Sequence, residues 1–176
     1  MSNDPPNRDA RITVREATAD DRVGVRRVLD AAMLDVRADL RERIAAGDVL
    51  VASESDREET GDNEETADRE NSSERDAPIL GALVLVPDDE RDADLAAHDD
   101  AARIDAAHID AVAVRRARRG QGIGSELVCA AAARHARLTA AFDPGVRPFY
   151  DALDFEISPV EGDSDRLRGR YDGGET

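Results

Sequence analysis

The chain has 176 residues, a net charge of −16 from 40 acidic residues and 24 arginines, no lysine, and only 3% aromatics. Nucleic acid is disfavoured as a partner, because its phosphates would meet a repulsive surface. A membrane span is excluded too, because no apolar run approaches the roughly 20 residues it needs.

The length suits one domain with a real core, since chains of about this size bury roughly 68–70% of their unfolded surface. In molar salt the Debye length falls to about 3 Å, which removes most of the self-repulsion of such a charge. The composition therefore suggests a halophile cytoplasm. Cys129 is the only cysteine, so no internal disulfide forms, and an intracellular setting is the default.

Residues 1–10 are polar with two adjacent prolines and no apolar h-region, which reads as a disordered tail rather than a signal peptide. The domain is expected over 11–172. Ile12-Thr13-Val14 alternates like a strand. Asp20 and Asp21 offer an N-cap and early negative charge for a helix with Val25, Val28, Leu29 and Ala32 on one face. A second helical pattern continues through Val36, Leu40 and Ile44 until Gly47 stops it. Asp48–Ser53 reads as the second strand and Ile79–Val86 as the third.

Between them, residues 54–76 carry eleven acids, three arginines and no aliphatic residue larger than alanine. Such a segment cannot bury enough apolar surface to offset its ordering entropy, so a disordered hairpin insertion is expected. Its simplest role is a solvated tether. Residues 88–105 are again polar. There His98, Asp99 and Asp100 lack a second histidine at helical spacing and a nearby cysteine, so a loop is expected and no metal.

The most informative stretch runs from Ile109 to Gly124. An apolar strand to Val114 enters a basic loop (Arg115, Arg116, Arg118, Arg119), then glycines at 120, 122 and 124, then an alanine-rich helix from Ser125. Glycines let a ligand approach the backbone, and the first N–H groups of the helix point out of its positive end. Together they form an anion cradle suited to a pyrophosphate. A Walker loop is excluded, because no Gly-Lys-Ser/Thr follows. A dinucleotide fingerprint is a rival, with Asp143 placed about twenty residues on, after a strand at Leu138–Phe142. However, the glycines read GxGxG, five residues separate Val114 from Gly120, and only 33 follow Asp143, too few to complete a doubly wound sheet.

Arg119-x-x-Gly122-x-Gly124 after an apolar strand resembles the acyl-CoA loop of the GNAT family of N-acetyltransferases. Three segments carry the resemblance in order across about 11–171: ITVREATADD, AVAVRRARRGQGIGSELV and VRPFYDALDFEI. It implies an α+β, three-layer α/β/α fold, with a mixed, mostly antiparallel sheet flanked by helices. The fourth and fifth strands would splay to admit acetyl-CoA, and the acetyl group would pass to a primary amine by direct attack in a ternary complex. Arg119, Gly120, Gln121, Gly122, Ile123, Gly124 and Ser125 would hold the pyrophosphate. The backbone of Val112 and Val114 would pair with the pantetheine arm.

Tyr150 would be the general acid. Two departures stand out: Asp154 replaces the family's usual glycine before Phe155, and Asp143 stands where many members have asparagine. For the base, Asp110 and His108 share strand parity with Val112 and Val114, unless a bulge shifts it. Asp110 is preferred, and a water chain stays open. Cys129 is expected as a small buried hydrophobe, His135 on the surface. The acceptor is left open between a small-molecule amine and a peptide or protein amine, and a homodimer is left open too. The rival within the same fold is a non-catalytic acyl-CoA-binding module.

Overall fold

Strand and helix segregate as the apolar periodicities require. In a computed structural model describing residues 11–55, 78–87, 106–160 and 162–173, seven strands form one sheet. They are β1 (Arg11–Glu16), β2 (Val49–Ser55), β3 (Ile79–Pro87), β4 (Ala106–Val114), β5 (Arg137–Phe142), β6 (Glu156–Val160) and β7 (Asp163–Asp172). Their order is β1-β2-β3-β4-β5-β7-β6. Every neighbouring pair is antiparallel except β4–β5. A parallel pair needs a long crossover, and the helix α3 (Ile123–Ala132) supplies it.

The sheet is covered on both faces. On one face Leu50, Ala52, Leu83 and Leu85 meet Ile123, Leu127 and Ala131 of α3 and Tyr150 of the short α4 (Arg147–Asp151). On the other, Val49, Val51, Ala82 and Val84 meet Val25, Val28 and Leu29 of α1 (Arg22–Ala31) and Leu40 and Ile44 of α2 (Leu40–Ala46). β2 and β3 send alternate residues to each core, which is why β3 reads as an unbroken apolar run.

The two helical patterns predicted for 22–46 are separated by a wider break than the sequence suggests. Leu34 and Val36 pack on the α1/α2 core from a non-helical connection, so Val36 lies outside any helix. Asp21 stands at the N-cap of α1 as expected, but its side chain makes no capping bond to that helix. Thr18 N–H and Oγ1 both donate to Asp21 Oδ2, at 2.8 and 3.0 Å, closing a 3-10 turn ahead of α1. Asp21 further takes Arg15 Nη1 and Nη2 at 2.6 and 3.0 Å. Burial pushes its carboxyl up, but these hydrogen bonds outweigh burial and hold it below the ordinary range.

β2 runs two residues further than predicted, with Glu54 and Ser55 paired to Ile12 and Arg11. The remainder of the acidic segment, the tail 1–10, and His98, Asp99 and Asp100 lie outside the described residues.

Candidate active site

The basic loop leaves β4 through a 3-10 turn, Arg116–Arg118, and is tied down at two points. Arg118 Nη2 donates to Glu54 Oε2 at the end of β2, at 2.8 Å, and Arg119 Nε donates to the Val114 carbonyl at 3.2 Å. Gly120 and Gly122 take φ of +76° and +83°, where other residues are strained, and a Cβ on either would meet nothing within 4 Å. The α3 helix starts at Ile123, two residues earlier than predicted. Its first backbone bond runs from Glu126 N–H to the Gly122 carbonyl, so the N–H groups of Ile123, Gly124 and Ser125 precede the ladder. This is an open, left-handed glycine cradle ending on a helix N-terminus, and it fits a pyrophosphate.

Gly124 serves a different purpose from its neighbours. A Cβ there would lie 3.2 Å from Phe149 Cε2 and 3.3 Å from its Cζ, so this glycine lets α3 approach the Phe149 ring.

Beside the cradle, β4 and β5 separate. Their pairing covers Ala106–Ile109 against Arg137–Ala140 and stops, while β4 runs on to Val114. Arg115 N–H donates to the Leu80 carbonyl of β3 at 2.8 Å. Strand alternation therefore turns the main-chain groups of Val112 and Val114 the other way, toward the open fork. Both side chains pack on the α3 core.

Tyr150 is buried on that same side. Its ring stacks on Phe142 with centroids 4.1 Å apart and meets Phe149 and Phe155 edge-on at 5.1 Å each. Burial pushes the phenol pKa up to about 12. The α4 helix presenting it is a single short element, closed by Asp154 at φ +60°. The Asp found where the family has glycine thus occupies a left-handed position. Asp143 ends β5, exposed.

A bulge in β4 breaks the parity that would have placed Asp110 and His108 on one face with Val112 and Val114. Val84 pairs with Ala111 but Leu85 with Ile109, so Asp110 is an extra residue in a β-bulge. Val112 and Val114 face the α3 core with Ala107 and Ile109, whereas Ala111 and Ala113 face α1. Asp110 lies on the α1/α2 side, with Arg37 Nη1 3.6 Å from its Oδ1. His108 is buried there as well, its Nδ1 2.8 Å from Thr139 Oγ1. Asp110 and Tyr150 are therefore on opposite faces of the sheet, with the fork between them.

Arg37 is the residue that sequence reasoning missed. It also donates from Nε to Asp39 at 2.8 Å, and Arg43 Nε reaches Asp39 at 3.1 Å. The hydrogen bond from Arg37, more than that from Arg43, holds the Asp39 carboxyl at about 2. A chain of charges thus ties the start of α2 to the bulge. No motif signals it, because Arg37 and Asp110 are 73 residues apart.

Cys129 corrects another expectation: it is exposed on the outer side of α3, because Leu127, Val128 and Ala131 take the inner face. His135 is half-buried. Among the described residues, no group of three or more His, Cys, Asp or Glu could hold a metal ion, and no helix is long and apolar enough to cross a membrane.

Residues 73–157, just under half of the chain, match the family model described as "Acetyltransferase (GNAT) domain". A GNAT-family acetyltransferase from Listeria monocytogenes superposes with a TM-score of 0.62 at 15% identity, covering 92% of this chain and 94% of that one. Ard1 from Thermoplasma volcanium gives 0.59 at 15% identity, covering 93% and 99%. N-acetylglutamate synthase from Neisseria gonorrhoeae, solved with coenzyme A and N-acetyl-glutamate, gives 0.58 at 13% identity, covering 95% of this chain and 36% of that one. No curated protein matches in sequence. The mixed seven-stranded sheet, flanked by helices and forked between β4 and β5, is the GNAT fold.

Proposed function

We propose that this chain is a GNAT-family N-acetyltransferase working in a salt-rich cytoplasm. Acetyl-CoA would supply the activated acyl group, which passes to a primary amine by direct attack in a ternary complex. The observation that carries this reading is the cradle: two left-handed glycines with open space above them, at the N-terminus of α3, beside the bare edge of β4.

Gly120, Gln121, Gly122, Ile123, Gly124 and Ser125 hold the pyrophosphate through main-chain N–H groups. Arg119 adds charge and, through Val114, fixes the loop to the strand. Val112 and Val114 offer main-chain groups to the pantetheine arm as an added strand would, and the Val114 N–H polarises the thioester carbonyl. Tyr150 keeps its proton until the thiolate leaves. Asp110, at the fork on the opposite face, receives the proton of the attacking amine, directly or through water. The fork joins the two faces, so acid and base work from opposite sides of one acyl group.

The test is calorimetry with acetyl-CoA on Gly122→Val and Gly124→Val. The first puts a branched side chain into open space at a strained φ, so the fold survives in molar KCl and affinity falls at least about tenfold. The second meets the Phe149 ring and loses thermal stability. Unchanged affinity in Gly122→Val refutes the assignment. Release of free CoA on adding amines separates a catalyst from a binding module.

A further inference from the structure

A carboxylate stands beside the pyrophosphate cradle. Glu54, one residue from the end of β2, pairs in register with Ile12 of β1. Cross-strand partners project from the same face of a sheet. Ile12 packs on the α3 core, so Glu54 projects toward α3 and the loop that opens it. There its Oε2 accepts from Arg118 Nη2 at 2.8 Å, with the Glu54 side chain 21% exposed and that of Arg118 34%. A negative charge close to an anion site opposes binding by Coulomb repulsion. What offsets that repulsion is what Glu54 holds.

The arginines of the loop differ in burial. Arg115, Arg116 and Arg119 are exposed, whereas Arg118 is half-buried and engaged with β2. Arg119 Nε reaches the Val114 carbonyl of β4 at 3.2 Å. One loop is thus fastened to the two strands that flank β3. Beneath it, a Cβ on Gly81 of β3 would lie 3.0 Å from both Ile123 Cγ2 and Leu127 Cδ1, so the start of α3 rests directly on that strand. Packing therefore fixes the helix start. Gly120, Gln121 and Gly122 ahead of it are exposed, and glycine has more backbone freedom to lose than any other residue. A loop already fastened by its arginines loses less of that freedom when a ligand arrives.

We infer that Glu54 is a positioning residue for the acyl-CoA donor, holding the cradle in its binding conformation through Arg118. This rests on the proposed pyrophosphate cradle and adds β2 to the elements that build it. In the sequence Glu54 is only the first acid of the polar segment 54–76, and pairing with β1 sets it apart.

The test is calorimetry with acetyl-CoA in molar KCl on wild type, Glu54→Ala, Glu54→Gln, Arg118→Ala and the double variant Glu54→Ala/Arg118→Ala. Partly buried contact pairs are screened less than separated charges, so the tie persists in that salt. Glu54→Ala should weaken binding by about fivefold, the upper end for a half-exposed ion pair, at the stoichiometry of wild type. Glu54→Gln keeps an acceptor oxygen and should lose less. Arg118→Ala should lose at least as much as Glu54→Ala, and the double variant no more than Arg118→Ala, because either removal breaks the same tie. The sign is decisive: were Arg118 itself a phosphate ligand that Glu54 restrains, Glu54→Ala would tighten binding. Unchanged or tighter binding in Glu54→Ala, losses that add in the double variant, or a fall in stoichiometry at unchanged affinity overturns the inference. Failure of wild type to bind acetyl-CoA instead overturns the acetyltransferase reading.

Discussion

Replacing Tyr150 with Phe removes one oxygen and leaves the ring's three aromatic contacts in place, so the variant tests chemistry with little change in packing. The size and pH dependence of the effect follow from burial. With a pKa of about 12, only about one phenol in a thousand is ionised at pH 9, against about one in ten for an ordinary tyrosine. The phenol is therefore almost fully protonated up to about pH 10, and if it is the acid no alkaline limb from Tyr150 should appear below about pH 11. Loss of a general acid costs about 10²-fold at the lower end of its range, and that loss should fall on kcat with KM for acetyl-CoA nearly constant. The assay is CoA release in molar KCl, corrected for the exposed Cys129, which itself reacts with thiol reagents. A variant keeping more than half of wild-type kcat, on an acceptor for which chemistry is rate-limiting, reduces Tyr150 to a packing residue. A wild-type alkaline limb near pH 9 that vanishes in the variant would refute the burial argument instead.

Three further outcomes follow from the geometry. Asp154→Gly relieves a left-handed φ of +60° at an exposed position and should stabilise by about 0.5–1 kcal/mol, raising Tm by about 1–4 °C without changing turnover. For pH, Asp39 is held at about 2 by the hydrogen bonds of Arg37 and Arg43, below its unfolded value of about 3.9. Its contribution is thus complete above about pH 4–5 and lost as pH falls toward 2. Asp39→Asn should accordingly cost about 1 kcal/mol at neutral pH, by denaturant titration at low salt, and almost nothing near pH 2. Finally, replacing residues 56–76 with a short Gly/Ser turn removes ten acids and three arginines, taking the net charge from −16 to −9. Melting in molar KCl should hardly change and low-salt melting should rise, whereas a large loss in high salt would mean that the segment is a folded part of the domain.

What the sequence determined by itself was local. The apolar run Ile79–Val86 announced a strand, and the structure shows why no polar residue interrupts it: each residue of β3 has to meet one of two cores. The glycines at 120, 122 and 124 after Val114 announced a turn opening a helix, and the structure gives two of them left-handed φ, which glycine adopts without strain. Asp154, where the resemblance expects a glycine, takes a left-handed φ of +60°, which a short polar side chain tolerates.

What escaped the sequence was decided by contacts between distant residues. The bulge at Asp110 moves the candidate base to the other face of the sheet, and it arises only from how β4 registers against β3. Val36 lies outside any helix because its place on the α1/α2 core is reached from a non-helical connection. Cys129 is outward because Leu127, Val128 and Ala131 fill the contact with the sheet. Gly124 is demanded by the ring of Phe149, 25 residues on, rather than by the turn beside it. Pairing register is a property of the whole sheet, which no local pattern of residues encodes.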